Sequence, residues 1–169
     1  AVMALSYFRR LDIFENILKK NDDSMSAAVF DSIYKMNVEI MKEYRSADEK
    51  DYSPEDRFVE KSLNSEEELL LQVKVLLGRA APRFDHYSDE TRVSLINAML
   101  SCNHREGVIY ALKGLESRDN NIVRRTLYAV YNNITRLRDP DKLFRSLLAM
   151  NILSDGNNRL VVDIFYKYF

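Results

Sequence analysis

The chain has 169 residues, 46% hydrophobic and 30% charged, with a net charge of −1. That balance excludes a disordered or fibrous chain, and the near-zero charge creates no global field toward nucleic acid or an anionic membrane. Four Gly and three Pro among many Leu, Met, Glu, Lys and Arg disfavour a β-rich chain and point to an all-α protein.

The first apolar stripe, Tyr7, Leu11, Phe14 and Leu18 with Ile17 beside it, has helical spacing. Asn21-Asp22-Asp23-Ser24 breaks it with residues that favour turns and N-caps. A second helix follows, with Met25, Val29, Ile33, Met36, Ile40 and Tyr44 on one face, antiparallel to the first. Residues 46–68 carry nine acids against three bases, and Ser53-Pro54-Glu55 is a capped helix start. The expectation is an acidic loop at 46–53 and a short helix at 54–63. Ser65-Glu66-Glu67-Glu68 reads as a capping box that opens a new helix, whose stripe is Leu69, Leu70, Val73, Leu76, Leu77 and Ala80. Pro82 ends it.

Five further helices are expected beyond residue 85. The first runs from Ser88 to Cys102 (Val93, Leu95, Ile96, Met99, Leu100) and the second from Arg105 to Ser117 (Val108, Ile109, Leu112, Leu115). A third follows Asp119-Asn120 and runs to Leu137 (Val123, Leu127, Val130, Tyr131, Ile134). Asp139-Pro140-Asp141 opens a fourth through Leu153, and the last follows Asp155-Gly156-Asn157 with Leu160, Val161, Ile164, Phe165 and Tyr168. Short turns make successive helices antiparallel neighbours. The whole reads as one domain over 1–169, with N-terminal helices at 1–64 and a helix-pair stack at 65–169.

Self-similarity runs through the second half. Thr91-Arg92-Val93-Ser94-Leu95 aligns with Val123-Arg124-Arg125-Thr126-Leu127, and Asn120-Asn121-Ile122-Val123 with Asn157-Asn158-Arg159-Leu160. The offsets are 32 and 37, and two helices per repeat at such a spacing is a solenoid signature. Asp119-Asn120-Asn121-Ile122-Val123-Arg124 resembles the inter-repeat turn of the HEAT-repeat family, with Asp89-Glu90-Thr91-Arg92 and Asp155-Gly156-Asn157-Asn158-Arg159 as weaker copies. The resemblance covers roughly residues 85–169. It implies a short right-handed stack of antiparallel helix pairs, and a non-enzymatic scaffold that binds a protein partner on its concave surface. Catalytic relatives, the alkylpurine DNA glycosylases and the phycobilin lyases, supply the alternatives: a nucleic-acid-binding protein or a lyase-type enzyme. A plain helical bundle is the alternative fold.

On that concave side the expected partner-binding residues are Glu106, Tyr110 and Lys113 on one second helix, and Lys142 and Arg145 on the next. A rival basic face places Arg125, Tyr128, Asn132 and Arg136 at helical spacing, suited to acidic segments or phosphates. Cys102 and His104 flank a turn without an orienting acid at a motif-defined distance, so a packed thiol and a polar turn histidine are expected rather than a catalytic pair. One Cys and two His do not make a closed zinc set, and the acids at 48–51 and 66–68 lack calcium-loop spacing. No cofactor, metal or catalytic residue is therefore expected, and nucleic acid is a disfavoured partner. Asn133-Ile134-Thr135 matches a glycosylation sequon by chance.

The single cysteine excludes an intramolecular disulfide and suggests a reducing, cytoplasmic compartment. No apolar run approaches the ~18 residues of a membrane span. Ala1-Val2-Met3-Ala4-Leu5 lacks a signal-peptide pattern, and a trimmed or processed start is expected. The terminal Phe165-Tyr166-Lys167-Tyr168-Phe169 leaves three expectations: packing back on the body, a homodimer contact, or a longer native chain.

Overall fold

The computed structural model describes residues 10–48, 57–137, 140–149 and 155–169. Among the described residues the chain is all-α. The helices are α1 (Leu11–Lys19), α2 (Asp23–Asp48), α3 (Arg57–Ala80), α4 (Asp89–Ser101), α5 (Gly107–Leu115), α6 (Asn120–Asn133), α7 (Asp141–Ala149) and α8 (Asp155–Tyr168). Two 3-10 turns, Ala81–His86 and Ile134–Arg136, follow α3 and α6.

These helices alternate between two layers. In one, α2 packs on α4, α4 on α6 and α6 on α8; in the other, α1 lies against α3 and α5 against α7. Polar pairs across the seams reveal direction. Asp23 meets Ser88 and Asn37 meets Ser101 at sequence separations of 65 and 64, tying α2 to α4. Asn97 meets Asn133 across α4–α6 at a separation of 36. Across α6–α8, Asn120 meets Asn157 at 37 and Tyr131 meets Lys167 at 36. A near-constant difference in residue number along a seam means that the two helices run the same way. Consecutive helices behave oppositely: Gly107 abuts Met99 while Gly114 abuts Ile96, so α5 descends as α4 rises.

Local chemistry sets the helix ends. The Asp22 carboxylate accepts the Met25 N–H at 2.8 Å and opens α2. Ser88 accepts the Thr91 N–H at 3.4 Å to open α4, and Asp119 accepts the Asn121 N–H at 2.8 Å to open α6. Asn103 closes α4 in the left-handed region, at φ 53. Its N–H reaches the Leu100 carbonyl, and the next N–H, of His104, reaches that of Met99: a Schellman turn with asparagine where glycine is commoner. Asn21, at φ 60, ends α1 in the same region.

One continuous core lies between the layers. The central helix α4 is enclosed almost all round, with Leu95, Ile96, Ala98, Met99 and Leu100 fully buried. The close fit of α5 depends on glycine at one point. A Cβ at Gly114 would come within 2.7 Å of Thr126 Oγ1 and 2.9 Å of Ile96 Cδ1, so the absent side chain allows this approach.

The helix boundaries depart from expectation in several places. Ser65-Glu66-Glu67-Glu68 does not start a helix; it lies inside the continuous α3. No Gly or Pro interrupts residues 57–80 except Gly78, so nothing stops a helix that has already begun. Residues 46–48 of the expected acidic loop are helical, and 49–56 lie outside the described residues. Met25, placed on the buried stripe, is exposed at the first turn of α2. The helix expected to reach Leu137 ends at Asn133, whose amide donates to its own Ala129 carbonyl at 2.8 Å and competes with the backbone ladder.

Candidate binding surfaces

Of the five expected partner-binding residues, three converge beside the 3-10 turn Ala81–His86. Glu106 stands at the N-cap of α5, half-buried, and Tyr110 and Lys113 follow on the helix. The Tyr110 ring packs on Phe84 with centroids 4.8 Å apart. Lys113 Nζ lies 5.6 Å from the Phe84 ring centroid and 5.5 Å from that of Tyr110, and 3.5 Å from Asp85 Oδ2. Arg92 covers Phe84 from another side, with its guanidinium carbon 5.7 Å from the ring centroid. Burial, reinforced by the Glu106 charge and opposed by Lys113, raises the Tyr110 pKa. The cluster is a satisfied aromatic–cation stack whose outer edge is open to solvent.

Lys142 and Arg145 are exposed on α7, next to α5. Lys142 helps to line a cavity of about 450 Å³ with Lys74, Asn103, His104, Arg105, Val108, Ile109 and Leu137. Three helices, the α4–α5 turn and Leu137 just after the second 3-10 turn supply it. Its charged lining is Lys74, Arg105 and Lys142, with no carboxylate. Sequence reasoning missed Lys74 and Arg105. Lys74 lies between buried Val73 and exposed Val75, at the edge of the α3 stripe, and only tertiary packing brings it to α5.

His104 braces this region. Its Nδ1 accepts the Glu106 N–H at 3.2 Å, and its ring stands against Gly78 of α3, where a Cβ would lie 3.4 Å from Nε2. Burial lowers its pKa, against the opposing pull of Glu106, and favours the neutral ring. Cys102, two residues earlier, is buried, with its Sγ 3.5 Å from the Met99 carbonyl. Burial pushes its thiol up to about 12, so it keeps its proton and is a poor nucleophile.

The rival basic face is brought together in part. Arg125, Tyr128 and Asn132 line a groove of about 220 Å³ with Asp31, Val93, Ser94, Asn97 and Ala129. Arg136 is not among them: because α6 stops at Asn133, it sits on the 3-10 turn and donates to Asn133 Oδ1 at 3.1 Å. Arg125 reaches Glu90 at 3.7 Å, and Asp31 adds a second acid nearby, so the groove carries no excess positive charge. The Asn133 side chain is buried and bonded to Asn97 and Ala129, which closes the sequon in the folded chain.

At the last helix, Phe165 and Tyr168 pack on Phe144 of α7 with ring centroids 4.8 and 4.9 Å away. Val162, Tyr166 and Phe169 remain exposed. Among the described residues, no group of three or more His, Cys, Asp or Glu is placed to hold a metal, and no helix is long and apolar enough to cross a membrane. Comparison with protein-family models, curated proteins and solved structures finds no match to the chain.

Proposed function

We propose that the chain is a short HEAT-like, right-handed solenoid that binds a protein partner, without catalysis, on the layer built from α3, α5 and α7, and that it works in the cytoplasm. The parallel rungs at separations of 36 and 37 support the repeat reading, because they match a period of two helices. The buried, unpaired thiol of Cys102 accords with a reducing compartment.

One observation carries the binding reading. Leu71 (62% exposed) and Val75 (50%) on α3, Ile109 (46%) on α5 and Leu148 (74%) on α7 all sit in one layer and leave apolar surface in water. A lone exposed leucine needs no explanation, but several on one layer, interleaved with Lys74, Arg105, Lys142 and Arg145, have the composition of a contact face. Affinity capture from the native cell tests the assignment. Leu148→Asp with Arg145→Ala abolishes recovery of the specific partner, while Arg125→Glu in the other layer retains it. Undiminished recovery by the α7 variant overturns the reading.

A further inference from the structure

We infer that the cavity between α3, α5 and α7 is the seat of an acidic, amphipathic peptide segment of the partner. The inference rests on the α3–α5–α7 layer being the binding face and names what that face takes. The lining combines two chemistries: three cations, Lys74, Arg105 and Lys142, and an apolar floor of Val108, Ile109 and Leu137. Among the described residues none of the three cations forms an ion pair. Five other cations, Lys19, Arg79, Arg92, Lys113 and Arg125, each reach a carboxylate of this chain within 4 Å. Three cations left together around one concavity, without an acid in its lining, favour carboxylates from outside.

The apolar component decides the occupant. A free small anion would satisfy the cations and leave Val108, Ile109 and Leu137 wet. Nucleic acid would call for open rings on which bases stack, and no Phe, Tyr or Trp lines the cavity, while the His104 ring in its lining is half-buried and already holds the Glu106 N–H. A peptide carrying Glu or Asp beside Leu-like side chains covers both, and Leu71 and Val75, on either side of Lys74 along α3, extend the apolar surface available to it. The site is braced in advance: His104, which accepts the Glu106 N–H and stands against Gly78 of α3, joins α3 to the start of α5.

Fluorescence anisotropy with a labelled synthetic peptide of Glu and Leu at helical spacing tests the inference. Three probes accompany it: the same peptide with Ser for Leu, one with Lys for Glu, and a single-stranded oligodeoxynucleotide. The Glu/Leu peptide binds, and shifts the amide resonances of His104, Val108, Ile109 and Leu137 in the wild-type chain. Arg105→Glu with Lys142→Glu weakens it about tenfold or more, and Arg125→Glu changes it less than about twofold, at unaltered melting temperature. The Ser-substituted peptide binds about tenfold more weakly, and the Lys peptide does not bind. Equal affinity for the charge-reversed variant, shifts confined to other residues, or tighter binding of the oligonucleotide overturns the inference. If the peptide fails while partner capture still depends on Leu148 and Arg145, the inference falls alone; if capture is also indifferent to them, the binding face falls with it.

Discussion

The side chains of Asn97 and Asn133 meet across the α4–α6 seam, with Asn133 Nδ2 donating to Asn97 Oδ1 at 2.9 Å. The same Asn133 nitrogen donates to the Ala129 carbonyl, and Asn133 Oδ1 accepts from Arg136, so one buried amide joins two helices and shapes the end of one of them. Asn133→Ala removes these bonds and leaves a small void, at a cost of about 1–3 kcal/mol. Chemical denaturation measures it, and a double-mutant cycle with Asn97→Ala gives a coupling above about 0.5 kcal/mol.

Gly114→Ala destabilises the fold despite alanine's higher helix propensity. The added methyl would meet Thr126 Oγ1 at 2.7 Å and Ile96 Cδ1 at 2.9 Å, on two different helices. The expected net loss is about 1–3 kcal/mol. Thr126→Ala in the same chain restores part of it, whereas two independent defects would add.

Cys102 resists thiol reagents in the folded state and reacts at once in denaturant. Burial raises its pKa from 9.0 to about 12, so the unfolded chain gives up this proton first. The stability that comes from keeping the thiol protonated is complete below pH 9.0 and drains away as pH climbs toward 12. A thiol titration with and without denaturant, followed by melting curves at alkaline pH, checks both statements.

His104 works in the other direction. Its folded pKa lies below the ordinary 6.5, chiefly through burial, so the unfolded chain takes up the proton first. Stability is full above pH 6.5 and falls as pH drops through that value toward the folded pKa. Protonation also removes the acceptor that holds the Glu106 N–H. Melting temperature against pH shows this loss, and His104→Gln flattens the curve between neutrality and the carboxylate range.

Asp23 makes a separable contribution on the acid side. Burial pushes its carboxyl upward, but donation from the Ser88 N–H and hydroxyl and the Thr91 hydroxyl outweighs it and leaves the pKa below 3.8. Its stabilisation is present above that value and lost as pH falls through the folded pKa. Asp23→Ala loosens the α2–α4 seam at neutral pH by about 1–2 kcal/mol, read from denaturant midpoints.

What the sequence discloses and what it hides divide along local and tertiary lines. Breaks at Asn21-Asp22 and Asp119-Asn120 are legible because capping is a property of neighbouring residues. Asn120 and Asn157, aligned with each other in the sequence, meet across the α6–α8 seam through a hydrogen bond of 2.6 Å between their side chains. The fusion of residues 57–80 into one helix was hidden, because a capping-box pattern is equally at home inside a helix whose neighbours never stop it. Arg136 was assigned to the α6 face on the premise of unbroken periodicity, which Asn133 defeats. Lys74 and Arg105 were invisible as a pair: they lie on different elements, and no spacing rule relates them.

The ties between parallel helices also differ in how much chain they enclose. Those joining α4 to α6 and α6 to α8 close loops of 36 or 37 residues, against 64 and 65 for those joining α2 to α4. By chain entropy alone the longer closure is costlier by about 0.5 kcal/mol. That difference favours early pairing of α4, α6 and α8 over docking of α2 by about twofold on chain entropy alone.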